Sequence, residues 1–198
     1  MKHSSITNDI AARLDIFASM LLRWNTTVNL IAAGDVATLR DRHIEDCLQV
    51  VPLLPSAAGR GIDLGSGAGF PGLVLAIATG VAFDLIESDH RKAAFLREAA
   101  RATGAPAIIH AKRIEDADLV PATVVTARAL ARLPRLLELA TPKLAAGGVC
   151  LFMKGAGAAV ELTEAAGEWH MRVEQIPSRT DSSATILRIS EIARVARA

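Results

Sequence analysis

The run Asp63-Leu64-Gly65-Ser66-Gly67-Ala68-Gly69 constrains the fold more than any other stretch of the 198 residues. It begins in the apolar triplet Ile62-Asp63-Leu64 and leads into Phe70-Pro71-Gly72, after which Phe70, Leu73, Val74 and Ile77 share one helical face. A strand that passes through a glycine turn directly into a helix opens a βαβ unit, whose strands lie parallel. Glycines in that turn permit unusual backbone angles and remove the Cβ atoms that would block a ligand. Pro71 suits the first helical turn, where its missing N–H costs no hydrogen bond.

The same texture continues downstream. Apolar runs at 62–64, 81–86, 106–110, 123–126 and 149–153 alternate with helical patterns at 70–79, 91–103 and about 130–144. This predicts an α/β fold with a mostly parallel, doubly wound sheet. Ligands of such sheets sit beyond the carboxyl ends of the strands, so chemistry is sought just after each apolar run. Residues 173–176 and 184–189 read as an antiparallel pair at the sheet edge. Ahead of the sheet, Ile6, Ile10, Leu14, Phe17 and Leu21 recur at intervals of four, four, three and four, a helical stripe that Thr7 or Asn8 can cap. A second helix is predicted over 35–50, stopped by Pro52 and Pro55, with a linker over 52–61. The expected organisation is a single domain over 1–198, with a helical extension at 1–55 and a Rossmann-like core at 60–198.

Composition excludes several classes. With 51% apolar and 22% charged residues the chain is globular rather than disordered. No apolar run approaches the roughly 18 residues of a membrane helix, and the polar residues 1–9 lack the core of a signal peptide, so a cytoplasmic setting is expected. Cys47 and Cys150 stand too far apart for a disulfide framework or zinc site, so two buried thiols and no metal are expected. The net charge of +1 does not announce a nucleic-acid partner. Two local clusters could meet phosphates: Arg91, Lys92, Arg97 and Arg101, and Arg128, Arg132, Arg135 and Lys143. Solvated helix faces are the simpler explanation of both.

Two ligands compete for the glycine loop. A dinucleotide asks for G-x-G-x-x-G, which occurs as Gly67-x-Gly69-x-x-Gly72, although its first glycine comes well after the strand. S-adenosylmethionine asks for an acid at the strand end followed by G-x-G-x-G, which Asp63, Gly65, Gly67 and Gly69 supply without adjustment. Its ammonium and sulfonium charges suit a neighbouring carboxylate, which would repel a pyrophosphate. Glu87 ends the next strand, where a carboxylate can accept both ribose hydroxyls of an adenosine. After the third strand, Lys112-Arg113-Ile114-Glu115-Asp116 offers backbone groups and an apolar side chain to bracket an adenine.

The fourth strand ends Thr126-Ala127-Arg128-Ala129. It lacks the Asn/Asp-Pro-Pro-aromatic motif of exocyclic-amine methylation and a cysteine to attack a pyrimidine carbon. Arginine does not act as a base near neutrality. An acceptor atom with its own lone pair is therefore compatible, and guanine N7 is one, since arginine pairs with guanine O6 and with phosphates. A structural salt bridge is the alternative for Arg128.

From about residue 22 to 155 the chain resembles the glucose-inhibited division protein B family, the ribosomal small-subunit RNA guanine-N7 methyltransferases. The resemblance rests on Trp24-Asn25-x-x-x-Asn29-Leu30, Arg42-His43-Ile44-x-Asp46, the loop through Phe70-Pro71-Gly72, Glu87-Ser88, Lys92, Phe95-Leu96, Thr126-Ala127-Arg128-Ala129 and Lys154-Gly155. It implies a class I (Rossmann-like) methyltransferase fold with a seven-stranded, mostly parallel sheet and helices on both faces. It further implies donor binding by Gly65, Phe70, Glu87, Ile114, Glu115 and Arg128, with Asp63 and Gly67 in the same loop. The implied substrate is a guanine, expected at position 527, in the decoding-region loop of 16S ribosomal RNA, free or in the small subunit. Arg128, Lys154 and His43 are expected on the RNA side, with His43 equally readable as a helix-packing residue. Cys47 stands where the family often has serine. A monomer is expected. The alternatives are methylation of a small molecule or protein, an RNA-binding module without catalysis, and a nicotinamide oxidoreductase.

Overall fold

The computed structural model describes residues 7–56 and 58–196. Ile6, the first member of the N-terminal stripe, lies outside them. Helix α1 spans Asn8–Asn25, and Thr7 accepts the Ile10 N–H at 3.3 Å as its N-cap. Such a cap contributes about 1 kcal/mol. Leu14, Phe17 and Leu21 are buried, as the periodicity requires.

Seven strands form one sheet: β1 (Arg60–Leu64), β2 (Ala82–Ile86), β3 (Ala107–His110), β4 (Ala122–Arg128), β5 (Leu144–Lys154), β6 (Trp169–Pro177) and β7 (Thr185–Arg194). Their order is β3-β2-β1-β4-β5-β7-β6. The first five run parallel, while β7 pairs antiparallel with both β5 and β6. The strand order reverses between β1 and β4, which places a crevice at their carboxyl ends. The register sets Asp63 of β1 opposite Thr126 of β4.

Helices cover both faces. On one face α1, α2 (Glu45–Leu48), α3 (Gly72–Thr79) and α4 (His90–Thr103) bury Phe17, Ile44, Leu73, Val74, Phe95 and Leu96. On the other, α5 (Leu133–Ala140) and α6 (Ala158–Ala166) pack Leu133, Leu137 and Ala165 against Ile62, Leu64 and Val125. Buried Asp84 takes hydrogen bonds from Arg60 and His110, the latter at 2.7 Å. Burial alone would raise its carboxyl, but these two partners hold it below the usual carboxylate range.

Three expectations need correction. The helix predicted over 35–50 is broken into a 3-10 turn at Ala33–Asp35, a π turn at Arg40–Ile44, the short α2 and a second 3-10 turn at Val51–Leu53. Buried Leu39 and Ile44 lie five residues apart, and the wide turn absorbs the extra residue. The helix expected at 130–144 is shorter, because Pro134 sits in its first turn and Pro142 ends it in a 3-10 turn at Thr141–Lys143. Helix α6 was not anticipated.

Candidate functional site

The loop after β1 is shaped by what cannot fit there. Gly65 has φ +65°, and a Cβ on it would lie 2.6 Å from Leu130 Cδ1. A Cβ at Gly72 would lie 2.5 Å from Asp63 Cβ, so α3 lies directly against β1 and the loop is held close to the strand ends. Glu87, at the end of β2, ties two loops at once. Its carboxylate accepts the Gly67 N–H and the Asp89 N–H, each at 2.8 Å. Each oxygen keeps acceptor capacity for a further donor such as a hydroxyl.

Above these loops lies a cleft of about 490 Å³, a volume suited to a nucleoside-sized ligand. Of the residues singled out in the sequence, Gly65, Gly67, Phe70, Glu87, Ile114, Glu115, Arg128 and His43 line it. Asp63 and Lys154 do not. Backbone at the glycine loop, an acceptor carboxylate and the apolar Ile114 fit an adenosine with a cationic tail. The Glu115 side chain turns away to Arg135, which leaves its main chain to the cleft wall. Leu30, Ile31, Ala32 and Asp35 also line the wall, and of these the sequence had marked Leu30 alone, as part of the family resemblance and without a role. Their signal was Asn25, whose Oδ1 accepts the Leu30 and Ile31 N–H groups at 2.8 and 3.0 Å.

Asp63 stands behind the loop, fully buried. Its Oδ1 accepts the Thr126 hydroxyl at 2.6 Å, and its Oδ2 has no hydrogen-bond partner among the described residues. Burial pushes this carboxyl up to about 6, against the opposing hydrogen bond from Thr126. It supports the loop from beneath rather than forming its surface.

Phe70 carries the far side of the cleft. Its ring meets Phe17 edge-on at 5.6 Å, stacks on His43 at 5.1 Å and lies 5.7 Å from the Arg128 guanidinium. His43 Nε2 is 3.3 Å from Asp35 Oδ2 but off the angle that a hydrogen bond needs. Burial, then the Arg128 charge, lowers the His43 pKa against the opposing pull of Asp35, which favours the neutral ring.

Arg128 lies between this cleft and a second cavity of about 350 Å³, and it lines both. Its Nη2 donates to the Arg42 carbonyl at 3.2 Å and lies 3.4 Å from Asp46 Oδ2. Both partners come from the broken helix, and Arg42 belongs to the π turn. The cavity is further lined by Met153, Lys154, Glu161, Ser178, Thr180 and Asp181. Lys154 lines this cavity with its charge engaged: Nζ is 2.7 Å from Glu161 Oε2 and donates to the Ala131 carbonyl at 2.8 Å. Sequence reasoning missed the 178–181 turn, because its hydroxyls carry no periodic pattern. Burial pushes the neighbouring Cys47 thiol up to about 12, so it is no nucleophile at neutral pH. Among the described residues no three His, Cys, Asp or Glu side chains group as a metal site, and no helix is long and apolar enough to cross a membrane.

The two basic clusters part company. Arg132 pairs with Glu164, Arg135 pairs with Glu115 and Glu138, and buried Lys143 donates to the Ala117 carbonyl. On α4, Arg91, Arg97 and Arg101 are exposed and make no ion pair among the described residues, and Lys92 lines the first cleft.

Comparison with solved structures supports the fold. The chain is similar to an O-methyltransferase from Bacillus cereus in complex with SAH (TM-score 0.60, 14% identity, 88% of this chain and 90% of that one). It is also similar to cofactor-bound Rv0187 from MTB (TM-score 0.59, 14% identity, 95% and 92% covered). Sequence relatives are much nearer. A protein of Granulibacter bethesdensis named Ribosomal RNA small subunit methyltransferase G is 56% identical over 192 residues, covering 97% of this chain and 90% of that protein. One of the same name from Gluconobacter oxydans is 52% identical over 193 residues, covering 97% and 99%. The family model described as GidB, rRNA small subunit methyltransferase G, matches residues 10–186, and the chain belongs to that family.

Proposed function

We propose that this chain transfers the methyl group of S-adenosylmethionine to N7 of a guanine in 16S ribosomal RNA. The observation that carries the reading is Arg128, which stands between a nucleoside-sized cleft and a second polar cavity and lines both. On this reading the first cleft holds the donor. Glu87 accepts the ribose hydroxyls, the Ile114-Glu115 segment brackets the adenine, and the backbone at Gly65 and Gly67 meets the amino-acid tail. The second cavity holds the purine, with Arg128 donating to O6 and leaving N7 free.

The donor supplies a methyl group on sulfonium: the N7 lone pair forms the new N–C bond as the C–S bond breaks, and no proton leaves. The chain's own contribution is then to position the base, keep water out and hold Arg128 in a fixed plane through Arg42, Asp46 and Phe70. Alignment of this kind can supply several kcal/mol, up to roughly 7–11 in favourable cases. His43, stacked on Phe70, belongs to the wall between the two ligands. Lys154 shapes the acceptor wall through Glu161. The extension at 1–55 and the core at 60–198 act as one domain, as a monomer in the cytoplasm and without a metal.

The test is methyl incorporation from labelled donor into small-subunit RNA and particles from cells lacking this chain, with the methylated nucleoside mapped by mass. A single N7-methylguanosine is expected. Incorporation only into small metabolites or protein would overturn the reading.

A further inference from the structure

We infer that Asp46 is the residue that selects guanine, by accepting the N1–H and 2-amino protons of its Watson–Crick edge in the second cavity. The inference rests on the reading of that cavity as the purine site. Asp46 is mostly buried and its two oxygens are differently employed. Oδ1 accepts from Gln49 Nε2 at 2.6 Å, from the Thr180 hydroxyl at 2.8 Å and from the Ser178 hydroxyl at 3.3 Å. Among the described residues Oδ2 makes only the looser 3.4 Å approach to Arg128. Three donors on Oδ1 fix the carboxylate's orientation, and Oδ2, held to Arg128 only at long range, keeps acceptor capacity for a further donor in the cavity that Asp46 lines.

The order of groups across the site matches the order of atoms around guanine. From the first cleft outward come the glycine loop, then Arg128, then Asp46. Around the purine come N7, then the O6 acceptor, then the N1–H and N2–H donors. A purine with N7 towards the first cleft presents O6 to the guanidinium and its two donors to the carboxylate. Adenine in the same pose places an amino group against Arg128 and an acceptor against Asp46, and both contacts are repulsive. An ionised carboxylate accepts and never donates, which suits it to this edge. Glu161 and Asp181 also bond through one oxygen each, Glu161 Oε2 to Lys154 and the Leu133 N–H and Asp181 Oδ1 to Ser183, but among the described residues of the cavity Asp46 alone of the three carboxylates lies within ion-pair distance of Arg128, beside the O6 donor.

The experiment compares small-subunit particles carrying guanosine or inosine at the target position. Inosine keeps N7, O6 and N1–H but lacks the 2-amino group. Any intrinsic difference in N7 reactivity is common to all enzyme variants, so the change in the guanosine-to-inosine ratio of kcat/KM is the readout. The wild type is expected to prefer guanosine roughly 10-fold, the scale of one hydrogen bond to a charged group. Asp46→Asn should bring the ratio to within about twofold while donor affinity is retained. Thr180→Val removes one Oδ1 anchor and should lower the ratio in the same direction, which keeps the inference testable if Asp46→Asn does not fold. Glu164→Gln, on α6 but lining neither cavity, should leave the ratio unchanged, and Glu161→Gln tests the competing carboxylate of the same cavity. A wild-type ratio in Asp46→Asn, or in Thr180→Val where the first is unfolded, would mean that Asp46 only positions Arg128 and would overturn the inference. A lost ratio in Glu161→Gln would reassign the role. If the wild type binds donor but methylates neither particle, the reading of the cavity itself fails, and this inference with it.

Discussion

On one side of Arg128 the cleft is built from strand ends and main chain: the Gly65–Gly67 turn, the Glu87 carboxylate bonded to two backbone amides, and the Ile114 segment. On the other side the cavity is built from side chains drawn from four places, with Asp46 from α2, Lys154 from β5, Glu161 from α6 and Ser178 and Thr180 from the β6–β7 turn. A site made of backbone on a parallel sheet serves a ligand that many folds must bind. A site made of assembled side chains serves a ligand that must be told from its near relatives. The two halves should therefore fail differently when damaged.

Arg128 belongs to both halves, so its loss should be the most severe. Arg128→Ala is expected to lower single-turnover methylation by roughly 10²-fold or more, the scale of a misplaced reacting group. Arg128→Lys should recover little, because a point charge does not reproduce the planar fork. A wild-type rate in either variant would break the comparison at its hinge.

Glu87→Ala probes the backbone-built half alone. It removes a charged acceptor and frees the Gly67 and Asp89 amides, so calorimetric donor affinity should fall about 10- to 100-fold. The guanosine-to-inosine ratio should stay as in the wild type. A shift in that ratio would show that the halves are not separable.

Asp63 tests what lies beneath the donor loop. Its folded-state value of about 6 lies above the ordinary 3.8, so the folded chain binds the proton more tightly than the unfolded chain. That contribution is present below about pH 4 and is lost as pH rises through about 6. Asp63→Asn lacks it. Chemical denaturation should show the stability gap moving in the variant's favour by about 2 kcal/mol between pH 4 and pH 7. A pH-independent gap would mean that the carboxyl is ionised throughout.

The smallest effect is expected at the periphery. If α4 meets RNA phosphates, Arg97→Ala should reduce the slope of log affinity against log salt by about 0.7–0.9, whereas Arg135→Ala, already paired with Glu115 and Glu138, should leave it unchanged. Equal slopes would take α4 out of the RNA-facing surface.

The backbone-built half was legible because its determinants are consecutive. An acid, spaced glycines and a helical stripe fall within 63–77, and Glu87 ends the very next strand. The assembled half was not legible beyond Arg128, the Arg42–Asp46 segment and Lys154. Its most informative contact from the broken helix is a main-chain carbonyl at Arg42, which no residue type announces. The π turn was overlooked because the five-residue step from Leu39 to Ile44 reads as a defect in a 3.6 period. Helix α6 escaped because two of the residues on its buried face are the small Ala158 and Ala165, and alanine contrasts weakly with its neighbours. Asp63, expected among the donor-binding residues, is buried behind the loop and does not line the cleft, a position set by the pairing with Thr126 across strands distant in sequence.

The three anchors on Asp46 also set an order of assembly. The first cleft is lined by residues 30–139, whereas the second cavity needs residues out to 186. Synthesis delivers the N-terminal part of a chain first. On the proposed reading, every residue lining the donor cleft is thus synthesised before the turn carrying Ser178 and Thr180. On the proposed reading, the groups that orient Asp46 are the last part of the site to be made.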